Sequence, residues 1–262
     1  MKIKILTQNV MCWHTEGGEH PVRRERMKRL FSRLHPDLIG AQEVTETWRD
    51  YFEEDLKGYG SVFRFRGEND REATPLYYKK DRFEAVDEGV FWLSETPEVE
   101  SRAPGAGCLR IAVWAVLREK TGGERLLFVN THLDHCSNEA RVIGARLLRD
   151  LITARGDMPA VLTGDFNDTS FSDAVETIKE FMIDSRLSAE KTTETNTHSS
   201  YYGGPADASI DYVFVRGLTP LCCSVEKECD GPYAQSDHYA VFAEAVTGGA
   251  DKAGSAVREH LR

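Results

Sequence analysis

The chain has 262 residues, enough for one large domain or two small ones, and its 40% hydrophobic and 29% charged content is ordinary for a globular protein. Its formal charge of −10 is opposite in sign to the basic footprint of a strong, sequence-independent binder of duplex DNA. The six cysteines form no C-x-x-C pair, and no apolar run is long enough for a signal peptide or a membrane span. We therefore expect a soluble, cytoplasmic protein with reduced thiols, and a monomer.

The first elements form a predicted β-α-β unit. Residues 3–6 are β-prone and lead to Asn9. Residues 22–34 carry apolar side chains at helical spacing, and residues 38–41 form a second apolar run that ends at Glu43. If the two strands run parallel, Asn9 and Glu43 open on the same edge of one sheet.

The middle of the chain is rich in predicted strands. Residues 111–117 and 126–130 are expected to pair as a hairpin across Thr121-Gly122-Gly123, and its second strand leads to His132. The other predicted elements are helices at 47–56 and 139–154 and strands at 61–65, 75–78 and 83–86.

The stretch 159–168 reads P-A-V-L-T-G-D-F-N-D and predicts a short buried strand. Asp165 and Asn167 follow this strand at its carboxyl end, where open α/β sheets bind their ligands. Because side chains alternate along a strand, Asp165 and Asn167 are expected to face one pocket while Phe166 points away. Taken alone, Asp165 is more often an ordinary turn or helix-capping residue.

Polar side chains also lie at strand ends in the last third of the chain. Asp211 lies in one predicted strand, and Asp237-His238 precede another. The predicted elements here are a helix capped by Ser170 or Ser172 and strands at 210–215, 221–225 and 239–245.

No linker or short repeat divides the chain. The simplest assembly is one domain over 1–246, with two packed sheets and helices outside. Residues 247–262 are Gly/Ala-rich and charged, and we expect them to form a frayed tail.

Six short motifs at these strand ends resemble those of the endonuclease/exonuclease/phosphatase superfamily, and they occur in the family's order. They are T-Q-N-V around Asn9, Q-E-V around Glu43, N-T-H-L-D-H around His132, G-D-F-N-D around Asp165 and Asn167, I-D-Y-V-F around Asp211, and S-D-H at Asp237-His238. The resemblance implies an α/β fold like that of DNase I, a four-layer sandwich of two packed mixed β-sheets flanked by helices. It also implies metal-dependent cleavage of a phosphoester.

A divalent-metal site is part of what the resemblance implies. The implied ligands are Glu43, Asp237 and Asn9, whose oxygen atoms suit Mg²⁺ or Mn²⁺ better than zinc. The metal would hold a phosphate oxygen and offset negative charge while water attacks phosphorus.

The resemblance further implies a catalytic group of His132, Asp165, Asn167, Asp211 and His238. Asp211 would orient His238 and raise its basicity. Asp165 would position or deprotonate the attacking water, and Asn167 would donate to a phosphate oxygen. Which of Asp165 and His238 is the base stays open at this point. His132, if it donates, would stabilise the same developing charge.

Two more residues are candidates for substrate binding. Arg110 precedes a strand and is a candidate phosphate contact, with a surface ion pair as the alternative. Tyr78 resembles a phosphate-contacting tyrosine of some family members, with a packed aromatic side chain as the alternative.

The resemblance defines the reaction type better than the substrate. The run F-W-L-S-E-T-P at 91–97 resembles a compact bacterial branch near the deadenylases and nocturnin-like proteins. The first expectation is therefore a phosphodiester or phosphomonoester of a nucleotide or short single-stranded nucleic acid, without membrane insertion. The alternatives are a sugar phosphate, an inositol phosphate or a phospholipid headgroup, and, in another class, a non-catalytic binding module on the same fold.

Overall fold

Two β-sheets and five helices make up the structure, a computed structural model that describes residues 1–13, 20–193, 196–199 and 208–248. The helices are α1 (His20–Leu34), α2 (Glu46–Asp55), α3 (Asn138–Thr153), α4 (Asp173–Lys179) and α5 (Ser185–Ser188). The strands are β1 (Lys2–Asn9), β2 (Leu38–Gln42), β3 (Tyr59–Val62), β4 (Leu76–Lys79), β5 (Phe83–Trp92), β6 (Ile111–Glu119), β7 (Arg125–His132), β8 (Ala160–Asp165), β9 (Ile183–Asp184), β10 (Lys191–Thr192), β11 (Asp211–Arg216), β12 (Leu218–Glu226) and β13 (Ala240–Thr247).

Both sheets contain parallel and antiparallel neighbours. The first has the strand order β10-β12-β13-β1-β2-β4-β3, and the second has the order β5-β6-β7-β8-β11-β9. β1 and β2 run parallel in the first sheet, as the β-α-β prediction requires, and β7 and β8 run parallel in the second. The carboxyl ends of these four central strands lie at the same edge of the molecule.

Three apolar clusters define the layers. One lies between the sheets and joins residues such as Ile5 of β1 and Val161 of β8. A second packs α3 and α4 against the outer face of the second sheet, and a third packs α1 and α2 against the outer face of the first. The predicted four-layer α/β sandwich is confirmed.

Side chains that face the space between the sheets change from apolar to polar as the central strands approach one edge. Alternation places every second residue of a strand on this face. The inward residues are Ile3, Ile5, Thr7 and Asn9 in β1, and Val161, Thr163 and Asp165 in β8. The predicted site residues Asn9 and Asp165 therefore lie on the inner faces of the sheets. Each is two residues beyond a buried threonine, Thr7 or Thr163, of a polar layer between the sheets.

This polar layer is a hydrogen-bonded cluster across the two sheets. Gln42 Nε2 donates to Asn130 Oδ1 at 2.8 Å, and Thr163 Oγ1 donates to the same oxygen at 3.0 Å. The Asn130 amide in turn donates to the carbonyl of Ala41 at 2.8 Å. A glycine at position 40 is required here, because a Cβ atom on Gly40 would overlap Thr163 Oγ1 and Asn130 Oδ1.

The structure extends one predicted strand. β5 reaches Trp92, whereas the sequence predicted only 83–86. The residues around Asp87 are exposed on this edge strand and interrupt the apolar pattern, yet pairing with β6 continues beyond a bulge between Ala85 and Asp87. The predicted cap is Ser172, whose side chain accepts from the backbone N–H of Val175.

The end of β13 is still paired with the start of the chain. The predicted tail of 247–262 starts too early, because Thr247 still donates its backbone N–H to the carbonyl of Met1 at 2.8 Å. The rest of that prediction, 249–262, lies outside the described residues. Among the helices of the described residues, none is long and apolar enough to cross a membrane.

Replacing Gly40 by Ala is expected to destabilise the fold. The added methyl group overlaps the amide layer between the sheets, and such overpacking costs about 1–3 kcal/mol. Urea unfolding of wild type and Gly40→Ala measures the difference. The matched control is Gly58→Ala, where a Cβ atom meets nothing within 4 Å and little change is expected. Equal unfolding midpoints for wild type and Gly40→Ala would show that the sheets do not approach closely at this point.

Candidate active site

The predicted polar residues meet at one edge of the two sheets. Asn9 ends β1 and donates its amide to Glu43 Oε1 at 2.9 Å, just beyond β2. In the second sheet, Asp165 of β8 lies opposite His132 on one side and Asp211 on the other. Asn9 Nδ2 also donates to Asp165 Oδ2 at 3.0 Å, so a single amide connects the two sheets at this edge.

Asp165 lies at the centre of this group. Its Oδ1 accepts the backbone N–H of Asn167 at 2.8 Å, and its Oδ2 lies 3.3 Å from His132 Nε2 and 3.8 Å from His238 Nε2. Burial raises the pKa of the Asp165 carboxyl to about 7, with the charge of His238 opposing the shift and that of Asp211 adding to it. A buried carboxyl with this pKa can accept a proton near neutral pH.

His238 forms a charged pair with Asp211. Its Nδ1 lies 2.9 Å from Asp211 Oδ2, and its backbone carbonyl accepts from Gln8 Nε2 at 3.0 Å. Burial opposes the protonated form, but the carboxylates of Asp211 and Asp165 outweigh it and raise the pKa of His238 well above its ordinary value. His238 therefore faces Asp165 as a proton donor.

His132 is neutral, and its tautomer follows from Asn167. The Asn167 amide nitrogen donates to the carbonyl of Leu133 at 3.0 Å, which fixes the orientation of the amide, and it also lies 3.0 Å from His132 Nε2. Nε2 must then accept, so the ring proton is on Nδ1. Burial, together with the charges of Arg110 and Arg66, holds the pKa of His132 well below its usual range.

Glu72 is a second carboxylate near an imidazole of the site, and the sequence did not reveal it. Its Oε1 lies 3.8 Å from His132 Nδ1, an atom with no hydrogen-bond partner in the described part of the chain. The same carboxylate bonds to Arg66 Nη1 and lies 3.8 Å from Arg110 Nη1. Burial raises the pKa of Glu72 to about 7, with Arg66 opposing this shift.

Glu72 and Arg66 gave no sequence signal because they lie outside the regular strands. Isolated bridges of Ala73 to Val44 and to Phe65 hold this segment against the site. A short segment that mixes charges and makes single bridges has no alternation to detect. The two histidines consequently approach Asp165 from opposite sides, each with a carboxylate behind it.

Glu43 and Asp237 are the carboxylates that could hold a metal. Hydrogen bonds from Asn9 and from the backbone N–H of Cys12 lower the pKa of Glu43, although burial opposes this. Burial raises the pKa of Asp237, and the nearby charge of Glu43 adds to the shift against the opposing charge of His238. A buried and a half-buried carboxylate near each other fit a divalent cation, which would offset their mutual repulsion.

Asn9 acts as a hydrogen-bond donor in this structure. Its Oδ1 accepts the backbone N–H of Met11 at 2.9 Å, which turns the amide nitrogen towards Glu43 and Asp165. Both amide hydrogens of Asn167 are likewise used, by His132 and Leu133. The roles of Asn9 as a metal ligand and Asn167 as a phosphate donor stay predictions, since each needs a rearrangement of these bonds.

Two site residues have left-handed backbone conformations. Glu43 has φ of 60° and Asn167 has φ of 49°, a region that is uncommon for residues other than glycine and least so for asparagine. Such conformations persist where the surroundings hold them. At Glu43, the bonds from Asn9 and Cys12 to its carboxylate provide that hold.

The two candidate substrate-binding residues lie in different places. Arg110 is buried, and its Nη2 lies 3.1 Å from His135 Nδ1, so the alternative of a surface ion pair is wrong. Tyr78 is not brought to this group. It pairs with Leu38, at the opposite end of β2 from Glu43, and its ring packs over Gly60. The prediction of a phosphate contact is replaced by its alternative, a packed aromatic side chain.

A comparison with protein families identifies the family of this chain. Residues 15–238 match the model of the Endonuclease/Exonuclease/phosphatase family, which covers most of the chain. The chain belongs to the endonuclease/exonuclease/phosphatase family. This membership confirms the resemblance drawn from the six motifs, and the sandwich is the DNase I-like fold of the family.

Solved structures of family members superpose on almost the whole chain. The endonuclease/exonuclease/phosphatase from Bacteroides vulgatus is 30% identical with a TM-score of 0.88, over 95% of this chain and 100% of that one. The mannosyl-6-phosphatase Bt3783 of Bacteroides thetaiotaomicron VPI-5482 is 27% identical with a TM-score of 0.85, over 93% of this chain and 99% of that one.

A curated relative from a plant matches a shorter part. The carbon catabolite repressor protein 4 homolog 3 of Arabidopsis thaliana is 26% identical over an alignment of 144 residues, and the match covers 52% of this chain. The match spans only 30% of the plant protein.

Removing the Asp211 carboxylate is expected to lower the pKa of His238. In Asp211→Asn, burial is no longer outweighed by the closest carboxylate, so the imidazole loses its proton at lower pH than in wild type. A titration of the histidine ring signals by NMR in metal-free protein measures this, with His35 as an internal control. An unchanged His238 midpoint would show that Asp211 does not set its charge.

Proposed function

We propose that this family member is a divalent-metal-dependent phosphoesterase that hydrolyses a small phosphate ester. The observation that carries the proposal is the Asp165 carboxyl, buried between His132 and His238 and connected through Asn9 to the acidic group of Glu43. A base, a proton donor and a metal-binding pair side by side are what hydrolysis of a phosphate ester needs.

Asp165 is the proposed base. With a pKa of about 7, it can take a proton from a water molecule beside it near neutral pH. His238 already carries a proton, because its pKa is raised by Asp211 and Asp165 against the effect of burial. A charged imidazole donates to a phosphate oxygen rather than accepting a proton, which favours Asp165 between the two candidates.

His132 is proposed to orient the Asn167 side chain beside Asp165. Its Nε2 accepts from the Asn167 amide at 3.0 Å, so it holds this amide in place beside Asp165. The ring stays neutral because burial and the nearby charges of Arg110 and Arg66 disfavour its protonated form. This role differs from the predicted one, in which His132 donates directly to the developing charge.

Glu43 and Asp237 would hold the metal, with Asn9 as a further candidate. When bound, a divalent ion polarises a phosphate oxygen and offsets negative charge at the reacting phosphoryl group. The residues fit such an ion because Asp237 is buried and Glu43 is half-buried, with the charge of Glu43 raising the pKa of Asp237.

A sugar phosphate is the first proposed substrate class. The mannosyl-6-phosphatase is similar to this chain over 93% of its length, far more than the plant relative. A small, compact phosphate ester also suits a protein with a formal charge of −10, whose field repels long polyanions.

A nucleotide or short single-stranded nucleic acid is the second candidate. It is favoured by the run F-W-L-S-E-T-P at 91–97, which resembles a compact bacterial branch near the deadenylases and nocturnin-like proteins. Sugar phosphates and nucleotides differ in the leaving group that hydrolysis releases, so a substrate panel distinguishes the two classes.

Hydrolysis of a substrate panel with Mg²⁺ or Mn²⁺ tests the proposal. The panel holds hexose 6-phosphates, nucleoside monophosphates, an adenylate oligomer, an inositol phosphate and bis-p-nitrophenyl phosphate. Asp165→Asn and His238→Ala are each expected to lower kcat by about 10²–10⁴-fold, because each removes a positioned proton-transfer group. Asp150→Asn, a substitution of an exposed carboxylate on α3, should act like wild type.

Metal binding by the same variants is measured separately, as a control for the hydrolysis experiments. Glu43→Gln should weaken the binding of Mg²⁺ and Mn²⁺ in isothermal titration, whereas His238→Ala should retain it. If wild type hydrolyses no member of the panel and binds neither ion, the enzyme proposal is rejected in favour of a binding module on the same fold.

A further inference from the structure

His198 lies beside the proposed metal-binding carboxylates, and none of the predictions from the sequence included it. It belongs to a short segment that backbone hydrogen bonds hold between two parts of the site. The N–H of His198 donates to the carbonyl of Ala208 at 2.9 Å, and the N–H of Ser199 donates to the carbonyl of Asp237 at 2.9 Å. Tyr239 donates its N–H to Thr197 on the other side of His198. Its position therefore follows from the fold.

The side chain of His198 faces Asp237 and His238. The ring centroids of His198 and His238 are 4.5 Å apart, with the rings inclined at 53°. One ligand atom from each of His198, Asp237 and His238 lies within 4.8 Å of the other two. Atoms bound to one ion through bonds of about 2.1 Å lie no more than about 4.2 Å apart, so a shared ion needs only a small inward movement.

Both ring nitrogens of His238 face carboxylates, so the candidate ligand pair is His198 and Asp237. Nδ1 of His238 contacts Asp211 at 2.9 Å, and its Nε2 faces Asp165 at 3.8 Å. Asp237 Oδ1 accepts from Ser236 Oγ at 3.0 Å, an arrangement that still allows a carboxylate to bind a cation. The surrounding carboxyl groups outnumber the one charged imidazole, so a divalent cation is favoured electrostatically.

We propose that His198 is a metal ligand that acts with Asp237 and gives the site an imidazole donor. The proposal rests on the proposed metal-dependent function and specifies the ion. Oxygen ligands alone suit Mg²⁺ and Mn²⁺ similarly, whereas an imidazole nitrogen favours a first-row transition ion over Mg²⁺. The site should therefore bind Mn²⁺ in preference to Mg²⁺, and His198 should be the source of that preference.

Direct metal binding is the experiment that tests this. Titration of the full chain with Mn²⁺, followed by the EPR signal of the free ion, gives the Mn²⁺ affinity, and calorimetry gives the Mg²⁺ affinity. We expect wild type to bind Mn²⁺ at least about tenfold more tightly than Mg²⁺. His198→Ala should lose about tenfold or more in Mn²⁺ affinity, with Mg²⁺ affinity changed much less.

Spectroscopy identifies the ligand independently of affinity. Electron spin echo modulation from a directly bound imidazole nitrogen should be present on Mn²⁺ in wild type and lost in His198→Ala. His198→Gln keeps a side chain of similar length, and urea unfolding of both variants establishes that they fold. The matched control is His35→Asn, at the opposite edge of the sheets, where asparagine suits the φ of 49° and no change in metal binding is expected.

Two outcomes overturn the inference: nitrogen modulation that persists in folded His198→Ala, or equal Mn²⁺ affinity in wild type and both His198 variants. If Glu43→Gln weakens metal binding in that case, the proposed function stands without His198. If Mn²⁺ binds through His198 but no phosphate ester is hydrolysed, the metal site stands and the proposed function fails.

Discussion

The site depends on the polar layer in which Gln42, Asn130 and Thr163 hydrogen-bond to one another between the two sheets. The Asn130 amide is stable there because its oxygen accepts from Gln42 and Thr163 and its nitrogen donates to the carbonyl of Ala41. The layer leaves no room for a side chain at Gly40, since a Cβ atom there would overlap Thr163 Oγ1 and Asn130 Oδ1. One alternation step further along the strands, the same close approach lets Asn9 reach Asp165 and makes one site from two sheet edges.

The two histidines at this edge differ in their electrostatic surroundings. His132 and His238 both face Asp165, but Arg66 and Arg110 lie beside the first, whereas Asp211 contacts the second. The neighbouring charges therefore keep one imidazole neutral and the other protonated, although both are buried. Two chemically identical side chains acquire different roles from their surroundings, as one holds an amide and the other can donate a proton.

Much of the fold could be predicted from the sequence, because apolar runs with polar ends mark the central strands. Asp165 and Asp211 were detectable for this reason, since each lies at the end of such a run and in β-sheet register with the other. Glu72 and His198 were not, because isolated bridges rather than strands place them. Tyr78 was misplaced because a strand residue gives no indication of which end of the sheet it occupies until the pairing is known.

The most direct test of the central claim, that Asp165 is the base, is the pH dependence of kcat/KM for wild type and Asp165→Asn at saturating metal. In wild type, kcat/KM should rise with pH as the Asp165 carboxyl loses its proton. In Asp165→Asn, the residual kcat/KM should be much lower and should not rise over the same range. An acidic limb of the same midpoint and slope in both proteins would contradict the account, because another group would then be the base.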